Sequence, residues 1–186
     1  MRVISGCVRG RKLKELPGMD TRPTTDKVKE SLFNIIQFEI EGRRVLDLFG
    51  GTGQLGIEAL SRGAAHCTFV ELSRPAAALI RDNLRTVGLD GLATVRQGDA
   101  LAFLAGCREK FDVILLDPPY QSGLLARSME AIAGFDILSE HGIMICESAA
   151  DTQTPELALP YEKGREYRYG KIKLTVYRRQ GREFRP

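Results

Sequence analysis

Histidine, cysteine and tryptophan are scarce in this chain. Among 186 residues there are two histidines, four cysteines and no tryptophan. The cysteines lie far apart, without the short spacings of a metal site or the density of a disulfide framework. We therefore expect no bound metal, and reduced thiols with structural roles. The six residues are Cys7, Cys67, Cys107, Cys146, His66 and His141.

Long apolar runs are also missing. No segment approaches the roughly 20 apolar residues of a membrane-spanning helix, and the charged start is not a signal peptide. Hydrophobic residues nevertheless make up 43% of the chain, which excludes a disordered protein. A chain of this length suffices for one domain with a core, with little room for a second. We expect a cytoplasmic monomer with no membrane partner.

Charge is unevenly distributed along the chain. Residues 1–14 hold five basic and no acidic residues, and residues 163–186 hold nine basic and two acidic residues. Since the total is +3, residues 15–162 must carry a net charge of −9. Terminal lysines and arginines can serve solubility alone, but the amino-terminal charges lie inside a patterned segment. This distribution favours a polyanion bound by the chain ends.

A glycine-rich turn between a strand and a helix organises the chain. Residues 45–48 form a short apolar run, and glycines follow at positions 50, 51 and 53. An apolar helical pattern then extends to Gly63. Because glycines let the backbone turn sharply and approach a ligand closely, this order is typical of a nucleotide-type cofactor site.

Two cofactors fit this turn. Gly51, Gly53 and Gly56 match the dinucleotide fingerprint, and Glu71 lies at a suitable distance downstream to hold a ribose hydroxyl. Asp47, however, ends the strand, where a pyrophosphate would meet its uncompensated charge. The sulfonium and ammonium groups of S-adenosylmethionine suit a carboxylate, so Asp47 favours this methyl donor over NAD. An aspartate that only caps the turn is an equally good explanation of Asp47 taken alone.

A second motif, Asp117-Pro118-Pro119-Tyr120, follows the apolar run 111–116, which is typical of a buried strand. The prolines lack N–H groups and keep the residues before them extended, so the loop offers acceptors and few donors. Such a loop suits an amine, and Tyr120 provides a flat face on which a base stacks. The alternative is a proline-stiffened turn with a partly buried tyrosine. The strand-end aspartate and the upstream glycine turn favour amine binding.

At these residues the sequence resembles a known family. Asp117–Tyr120 is similar to the Pro-Pro motif of methyltransferases that act on exocyclic amino groups of nucleobases, and residues 47–63 resemble their cofactor motif. Residues 1–13 and 22–34 narrow the resemblance to the bacterial 16S ribosomal RNA guanine-N2 methyltransferases of the RsmD type. The resemblance covers nearly the whole chain.

The resemblance implies methyl transfer from S-adenosylmethionine to guanine N2 of 16S rRNA, either naked or within an assembled or assembling small subunit. Adenine N6 or cytosine N4, in DNA or another RNA, is the alternative target. The implied catalytic residues are Asp117, Pro118, Pro119 and Tyr120. The implied donor-binding residues are Asp47, Phe49, Gly51, Gly53, Glu71, Leu72, Gly98, Asp99, Ala100 and Asp117. The implied RNA-binding residues are Arg2, Arg9, Arg11, Lys12 and Arg22.

Two further assignments, those of Asp99 and Arg22, also have an alternative. Asp99 follows the predicted strand 93–97, where such enzymes contact the adenine amino group, but an aspartate there also caps a helix over residues 100–104. The two roles of Asp99 are compatible. Arg22 belongs to a loop that either closes over the donor or base, or only packs the following helix against the core.

Alternating strand and helix patterns predict an α/β fold. We expect a doubly wound, mostly parallel, seven-stranded sheet of the Rossmann-like methyltransferase type, with an antiparallel hairpin over residues 166–177 at its edge. Residues 1–24 are predicted to form a basic β-hairpin and loop that bind RNA, and residues 25–186 the methyltransferase domain. A helix over residues 25–40, capped by Thr25, should open this domain.

Two other functional classes remain open on the sequence. An NAD-dependent oxidoreductase would explain the glycines, but Asp47 and the Asp-Pro-Pro-Tyr loop argue against it. A non-catalytic RNA-binding module would explain the basic ends, but the intact acceptor loop argues against it.

Overall fold

The computed structural model describes residues 1–15, 26–120 and 123–181. The expectations for Arg22, for the loop around it and for the Thr25 cap lie outside these residues. No helix in the described part of the chain is long and apolar enough to cross a membrane.

Seven strands form one sheet in the order β3-β2-β1-β4-β5-β7-β6. The strands from β1 to β5 pair in parallel, and β7 lies antiparallel between β5 and β6. The predicted mostly parallel sheet with an antiparallel hairpin at one edge is thus confirmed. The strands are β1 (Arg44–Asp47), β2 (His66–Glu71), β3 (Ala93–Gln97), β4 (Phe111–Leu116), β5 (Leu138–Ala149), β6 (Tyr161–Tyr169) and β7 (Ile172–Arg179).

Helices connect the parallel strands and cover both faces of the sheet. A short 3₁₀ turn over Asp90–Leu92 precedes β3. The helices are α1 (Asp26–Ile35), α2 (Gln54–Ser61), α3 (Arg74–Val87), α4 (Ala100–Gly106) and α5 (Leu124–Gly134).

Helix α1 is shorter than its apolar pattern predicts. The helix ends at Ile35 rather than Ile40, and the chain turns, with the amide of Glu39 donating to the carbonyl of Ile36. Ile36 and Ile40 are both buried, so they reach the core from a turn instead of a helix. Because buried positions set the apolar pattern, a turn that buries the same residues cannot be told from a helix in the sequence.

The sheet is buried on both faces, and alternate residues of each strand enter different cores. Val45, Val113 and Ile143 are aligned across β1, β4 and β5 and join the core under α1, α2 and α3. Their neighbours Leu46 and Ile114 join the core under α4 and α5. Burial on both faces explains why these strands read as continuous apolar runs.

The amino-terminal segment, residues 1–15, is packed on the domain rather than projecting from it. It folds back on itself as a short hairpin with an antiparallel bridge between Arg2 and Lys12, and the amide of Val3 donates to the carbonyl of Arg11 at 3.0 Å. Val3 and Leu13 are buried and belong to the core beneath α1 and α2. The predicted boundary at residue 24 falls outside the described residues, so the division into two units stays a prediction.

A buried carboxylate holds this segment on α2. Glu58 accepts hydrogen bonds from the backbone amides of Ile4 at 2.8 Å and Ser5 at 2.9 Å. Lys29, also fully buried, lies 3.8 Å from Glu58 and donates to the carbonyl of Arg2 at 2.6 Å. These contacts fix the position of the short hairpin on the domain.

Candidate active site

The order of the sheet reverses between β1 and β4, because the chain adds β2 and β3 on one side and β5 on the other. In open α/β sheets, ligands bind at the carboxyl ends of the strands at such a point. Asp47 is the last residue of β1, and Asp117 directly follows β4. The structure therefore brings the two predicted motifs to one edge of the sheet.

Two positions of the glycine turn require glycine for steric reasons. Gly53, which caps α2, has φ +82°, a backbone conformation that residues with a side chain rarely adopt. A Cβ atom on Gly56 would lie 2.2 Å from the ring of Phe69, so glycine there lets α2 pack closely on β2. The turn thus depends on glycine both for its conformation and for helix–strand contact.

Asp47 is buried, with 1% of its surface exposed. Its Oδ2 accepts a hydrogen bond from the amide of Gly56 at 3.0 Å, whereas its Oδ1 has no hydrogen-bond partner among the described residues. The pKa of Asp47 is raised from 3.8 to about 7, chiefly by burial and also by the charges of Asp117 and Glu71, whereas the hydrogen bond from the Gly56 amide opposes this rise. Ionised Asp47 is therefore a buried charge whose bonds are incomplete.

Such a carboxylate discriminates between the two cofactors that the sequence left open. A buried charge is stable only when it is paired or fully hydrogen-bonded. A cation near Oδ1 would supply the missing interaction, whereas a pyrophosphate would add negative charge beside Asp47, Asp117 and Glu71. Asp47 does bond the turn, as the simpler interpretation expects, but this bond uses only one of its oxygens.

Glu71, at the end of β2, already accepts two backbone hydrogen bonds. Its Oε2 binds the amide of Gly51 at 2.8 Å, and its Oε1 binds the amide of Ser73 at 2.7 Å. Glu71 therefore braces the glycine turn against the start of α3. A carboxylate oxygen can accept more than one hydrogen bond, so its predicted contact with ribose hydroxyls is compatible with these bonds and stays a prediction.

The remaining predicted donor residues follow the carboxyl ends of β1, β2 and β3. Asp99 caps α4, with Oδ1 accepting from the amide of Ala102 at 2.9 Å, which confirms the capping interpretation. Leu72 follows β2 and is 69% exposed, an apolar surface suited to a flat ring. Phe49 is half-buried against the core, and a Cβ atom on Gly98 would meet no atom within 4 Å.

The Asp-Pro-Pro-Tyr loop presents a mixed surface at this edge. Pro118 is buried, Asp117 is half-buried, and Pro119 and Tyr120 are exposed. Tyr120 keeps 41% of its surface accessible, while its hydroxyl donates a hydrogen bond to Oε1 of Glu147 at 2.9 Å. The hydroxyl of Tyr120 is thus held by a hydrogen bond, whereas part of the residue remains exposed to solvent.

Sequence reasoning missed two polar residues of this region. Glu147, in β5, accepts the hydrogen bond of Tyr120. It follows an apolar run, as Asp47 and Asp117 do, and this pattern could have marked it as a candidate site residue. Asn83, in the middle of α3, is fully buried and donates to the carbonyl of Thr52 in the glycine turn at 3.0 Å. An asparagine in a helix carries no comparable signal.

Four of the predicted RNA-binding residues, Arg2, Arg9, Arg11 and Lys12, belong to the amino-terminal segment that packs on α2, and the fifth, Arg22, lies outside the described residues. Arg2 is exposed and pairs with Asp26 at 3.3 Å. Within the described residues, Arg9, Arg11 and Lys12 are exposed and form no ion pair. These basic side chains form a strip on the surface of the amino-terminal segment.

The strip begins near the active site and leads away from it. Met1 contacts Thr52 of the glycine turn through its sulfur, whereas Cys7 donates to the carbonyl of Ser61 at the far end of α2. Since α2 has eight residues, it separates these points by about 12 Å. The start of the segment therefore lies at the glycine turn, and Cys7 lies well away from that turn.

In the described part of the chain, no three histidine, cysteine, aspartate or glutamate side chains are grouped to hold a metal ion. The carboxylates of the site are instead bound to backbone amides and to Tyr120.

Three comparisons with known proteins bear on this site. A family model described as Conserved hypothetical protein 95 matches residues 1–178. YlbH of Bacillus subtilis (strain 168), named as a candidate rRNA methyltransferase, is 41% identical over 184 residues, which cover 97% of this chain and 100% of YlbH. Ribosomal RNA small subunit methyltransferase D of Escherichia coli (strain K12) is 34% identical over 180 residues, which cover 97% of this chain and 90% of that protein.

A solved structure agrees with these relatives. The structure of yhhF from Escherichia coli, described as a candidate methyltransferase, matches with a TM-score of 0.88 at 33% identity. The match covers 97% of this chain and 98% of yhhF. The sheet order, the amino-terminal segment and the carboxyl-terminal strands thus all fall within the shared fold.

Proposed function

The chain belongs to the family described as Conserved hypothetical protein 95, and we propose that it transfers a methyl group from S-adenosylmethionine to the exocyclic N2 of a guanine in 16S ribosomal RNA. The resemblance to RsmD-type enzymes that the sequence indicates is confirmed by the family match and by the small-subunit methyltransferase relative. The choice of guanine N2 rests on that resemblance, because the names of the relatives do not state the base.

One observation carries the choice of a cationic donor. Asp47 is buried at the reversal point of the sheet, and its Oδ1 lacks a hydrogen-bond partner in the described structure. We assign Asp47 to the cationic methionine part of the donor, Glu71 to its ribose, and Leu72 and Asp99 to its adenine. S-adenosylmethionine supplies an electrophilic methyl group, and these residues bind and orient it.

The Asp-Pro-Pro-Tyr loop supports a target that is an exocyclic amine. The lone pair of such a nitrogen is delocalised into the ring, so the amine is a weak nucleophile. In this proposal the Asp117 carboxylate and the Pro118 carbonyl accept hydrogen bonds from its two N–H groups, which directs the lone pair out of the ring plane. The same two oxygens stabilise the positive charge that develops on nitrogen, and orientation supplies much of the remaining rate.

The exposed ring of Tyr120 supports a base that has left its stack. A base that enters this loop loses its neighbours in the RNA, and an aromatic side chain replaces that stacking. The contact is worth about 1–3 kcal/mol per base. The proton of the methylated nitrogen then passes to Asp117 or to water.

The basic strip supports RNA as the polymer. Phosphate contacts need lysine and arginine, and the catalytic loop offers a carboxylate and carbonyls instead. Arg2, Arg9, Arg11 and Lys12 provide this charge on the amino-terminal segment. We propose that the protein acts as a monomer in the cytoplasm, on 16S rRNA that is naked or within an assembling small subunit.

Two measurements test this proposal. Calorimetry should detect binding of S-adenosylmethionine and no saturable binding of NADH. Incubation with a methyl-labelled donor and small-subunit RNA should place the label in N2-methylguanosine after digestion to nucleosides. Label in N6-methyladenosine or N4-methylcytidine would support a methyltransferase with a different target base. Binding of RNA without methyl transfer would indicate a non-catalytic module.

A further inference from the structure

A carboxylate next to the catalytic loop has no role in the proposed chemistry. Glu147 lies in β5, only 3% exposed, and accepts the hydrogen bond of the Tyr120 hydroxyl at 2.9 Å. Buried carboxylates are costly and are kept where they bind a specific group. The bonded group here is the side chain that the proposed function assigns to the target base.

The sheet places Glu147 beside the catalytic aspartate. Leu116, the last residue of β4, pairs with Cys146 of β5, so Asp117 and Glu147 are the next residues of two neighbouring strands. Glu147 is also paired with Leu174 of β7. Its backbone is thus held in the sheet by β7, whereas the loop that carries Tyr120 follows the end of β4.

The side chains of Tyr120 and Glu147 differ in exposure. This difference suits a tether, by which we mean a hydrogen bond that fixes the orientation of the Tyr120 ring. The hydroxyl of Tyr120 points to a buried acceptor, while 41% of the residue's surface stays accessible. A hydrogen bond to a charged acceptor is stronger than one between neutral groups, so it restricts the ring to one orientation. A ring that is fixed before binding loses less conformational entropy when a base stacks on it.

We propose that Glu147 is a positioning residue that holds the Tyr120 ring in the orientation in which it receives the target base. The inference rests on the proposed function, since it assumes that a base stacks on Tyr120. Glu147 does not touch the reacting atoms in this proposal and acts only through the tyrosine hydroxyl. Its loss therefore weakens the use of RNA and leaves the donor site intact.

The tether itself is tested without catalysis. Tyrosine labelled with ¹³C at Cζ gives one resonance for each of the five tyrosines, and Tyr120→Phe identifies that of Tyr120. Glu147→Leu should shift this resonance and leave the others in place, whereas Glu147→Gln, which keeps an acceptor oxygen, should shift it less. A Tyr120 resonance that is the same in wild type and Glu147→Leu would overturn the tether, whether or not the protein is an enzyme.

Kinetics test the positioning role. Tyr120→Phe and Glu147→Leu should each raise KM for RNA about tenfold, the ratio expected for a lost hydrogen bond to a charged group. KM for the donor should stay within twofold, and Glu147→Gln should recover most of the loss. Since both changes remove the same bond, the double variant should be no worse than either single variant.

A matched control exists at the opposite edge of the sheet. The hydroxyl of Tyr161 also bonds a carboxylate, that of Asp136 at 3.0 Å. Tyr161→Phe removes an equivalent bond without touching the catalytic loop, so KM for RNA should not change. The positioning role would be contradicted if the losses of Tyr120→Phe and Glu147→Leu added up in the double variant. It would also be contradicted if either change lowered kcat and left KM for RNA unchanged. If Glu147→Leu moves the Tyr120 resonance as predicted but the wild type transfers no methyl group, the proposed function alone is refuted.

Discussion

Asn83 of α3 and Lys14 of the amino-terminal segment exchange two hydrogen bonds. The Oδ1 atom of Asn83 accepts from the amide of Lys14 at 2.8 Å, and its Nδ2 donates to the carbonyl of Lys14 at 3.1 Å. Nδ2 also donates to the carbonyl of Thr52 at 3.0 Å. One buried side chain thus joins the basic segment, the glycine turn and α3.

We expect Asn83→Ala to lower the free energy of unfolding by about 2–4 kcal/mol, because it leaves several buried backbone groups without partners. Asn83→Asp keeps the acceptor for the Lys14 amide and loses both donated bonds, so it should also be destabilising. Denaturant titration measures the change. Asp82→Ala is the control, since Asp82 is adjacent on α3 and pairs with the side chain of Lys14 at the surface. Equal stability of Asn83→Ala and wild type would contradict the role of Asn83.

The pKa of Asp47 predicts how donor affinity depends on pH. In the protein without donor, burial raises this pKa to about 7, so Asp47 is mostly protonated at pH 6 and mostly ionised at pH 8. A cationic donor prefers the ionised form, and its affinity should therefore rise with pH, by about tenfold between pH 6 and pH 8. Calorimetry at the two pH values measures this.

Asp47→Asn is the control for the pH effect. The variant cannot ionise, so it should bind the donor weakly and with little dependence on pH in this range. If Asp47→Asn keeps the pH dependence of the wild type, another group titrates and Asp47 does not contact the cation.

Asp117→Ala should nearly abolish methyl transfer while donor affinity stays within a few-fold. The reason is that its carboxylate serves mainly the target amine in the proposed chemistry. Single-turnover transfer and donor calorimetry on the same preparation separate the two effects. Asp112→Ala, in the same strand but at its amino end, is the matched control and should retain activity. Normal turnover by Asp117→Ala would remove Asp117 from the mechanism.

Stacking on Tyr120 predicts an order among its variants. Tyr120→Ala removes the ring as well as the hydroxyl, so a stacking loss of about 1–3 kcal/mol should come on top of the loss expected for Tyr120→Phe. Tyr120→Phe keeps the ring and loses only the tether to Glu147, so it should be milder. If phenylalanine is as damaging as alanine, the hydroxyl rather than the ring carries the effect, and stacking is the wrong explanation.

The basic strip predicts a salt effect. Changing Arg9, Arg11 and Lys12 together to alanine should weaken RNA binding and leave donor affinity unchanged. The slope of log affinity against log salt should fall by about 0.7 for each lost phosphate contact with single-stranded RNA. Arg178→Ala is the control, because Arg178 is already paired with both carboxylate oxygens of Glu39 at 2.7 Å. Unchanged affinity and slope in the triple variant would mean that the segment is structural.

The sequence predicts the sheet well because its strands carry continuous apolar runs that end in carboxylates. Asp47, Glu71 and Asp117 could be placed at one edge on this basis alone. Helix ends are less predictable, since Ile36 and Ile40 are buried in a turn with the spacing of a helix. The sequence also cannot indicate that Oδ1 of Asp47 lacks a partner, because that depends on which amides the folded turn presents.

Long-range polar contacts escape sequence reasoning for the same reason. Glu58 binds the amides of Ile4 and Ser5, more than fifty residues away, and nothing in the local pattern of α2 indicates it. The amino-terminal segment therefore reads as a separate basic hairpin in the sequence. In the structure this hairpin is short, and it is bound to the domain by contacts to three helices.

Nucleoside analysis of small-subunit RNA from a strain that lacks this gene tests the central claim most directly. The account predicts the loss of one N2-methylguanosine, its return when the wild-type chain is supplied, and no return with Asp117→Ala. An unchanged content of N2-methylguanosine in the deletion strain would contradict the assignment of guanine N2 in 16S rRNA as the target.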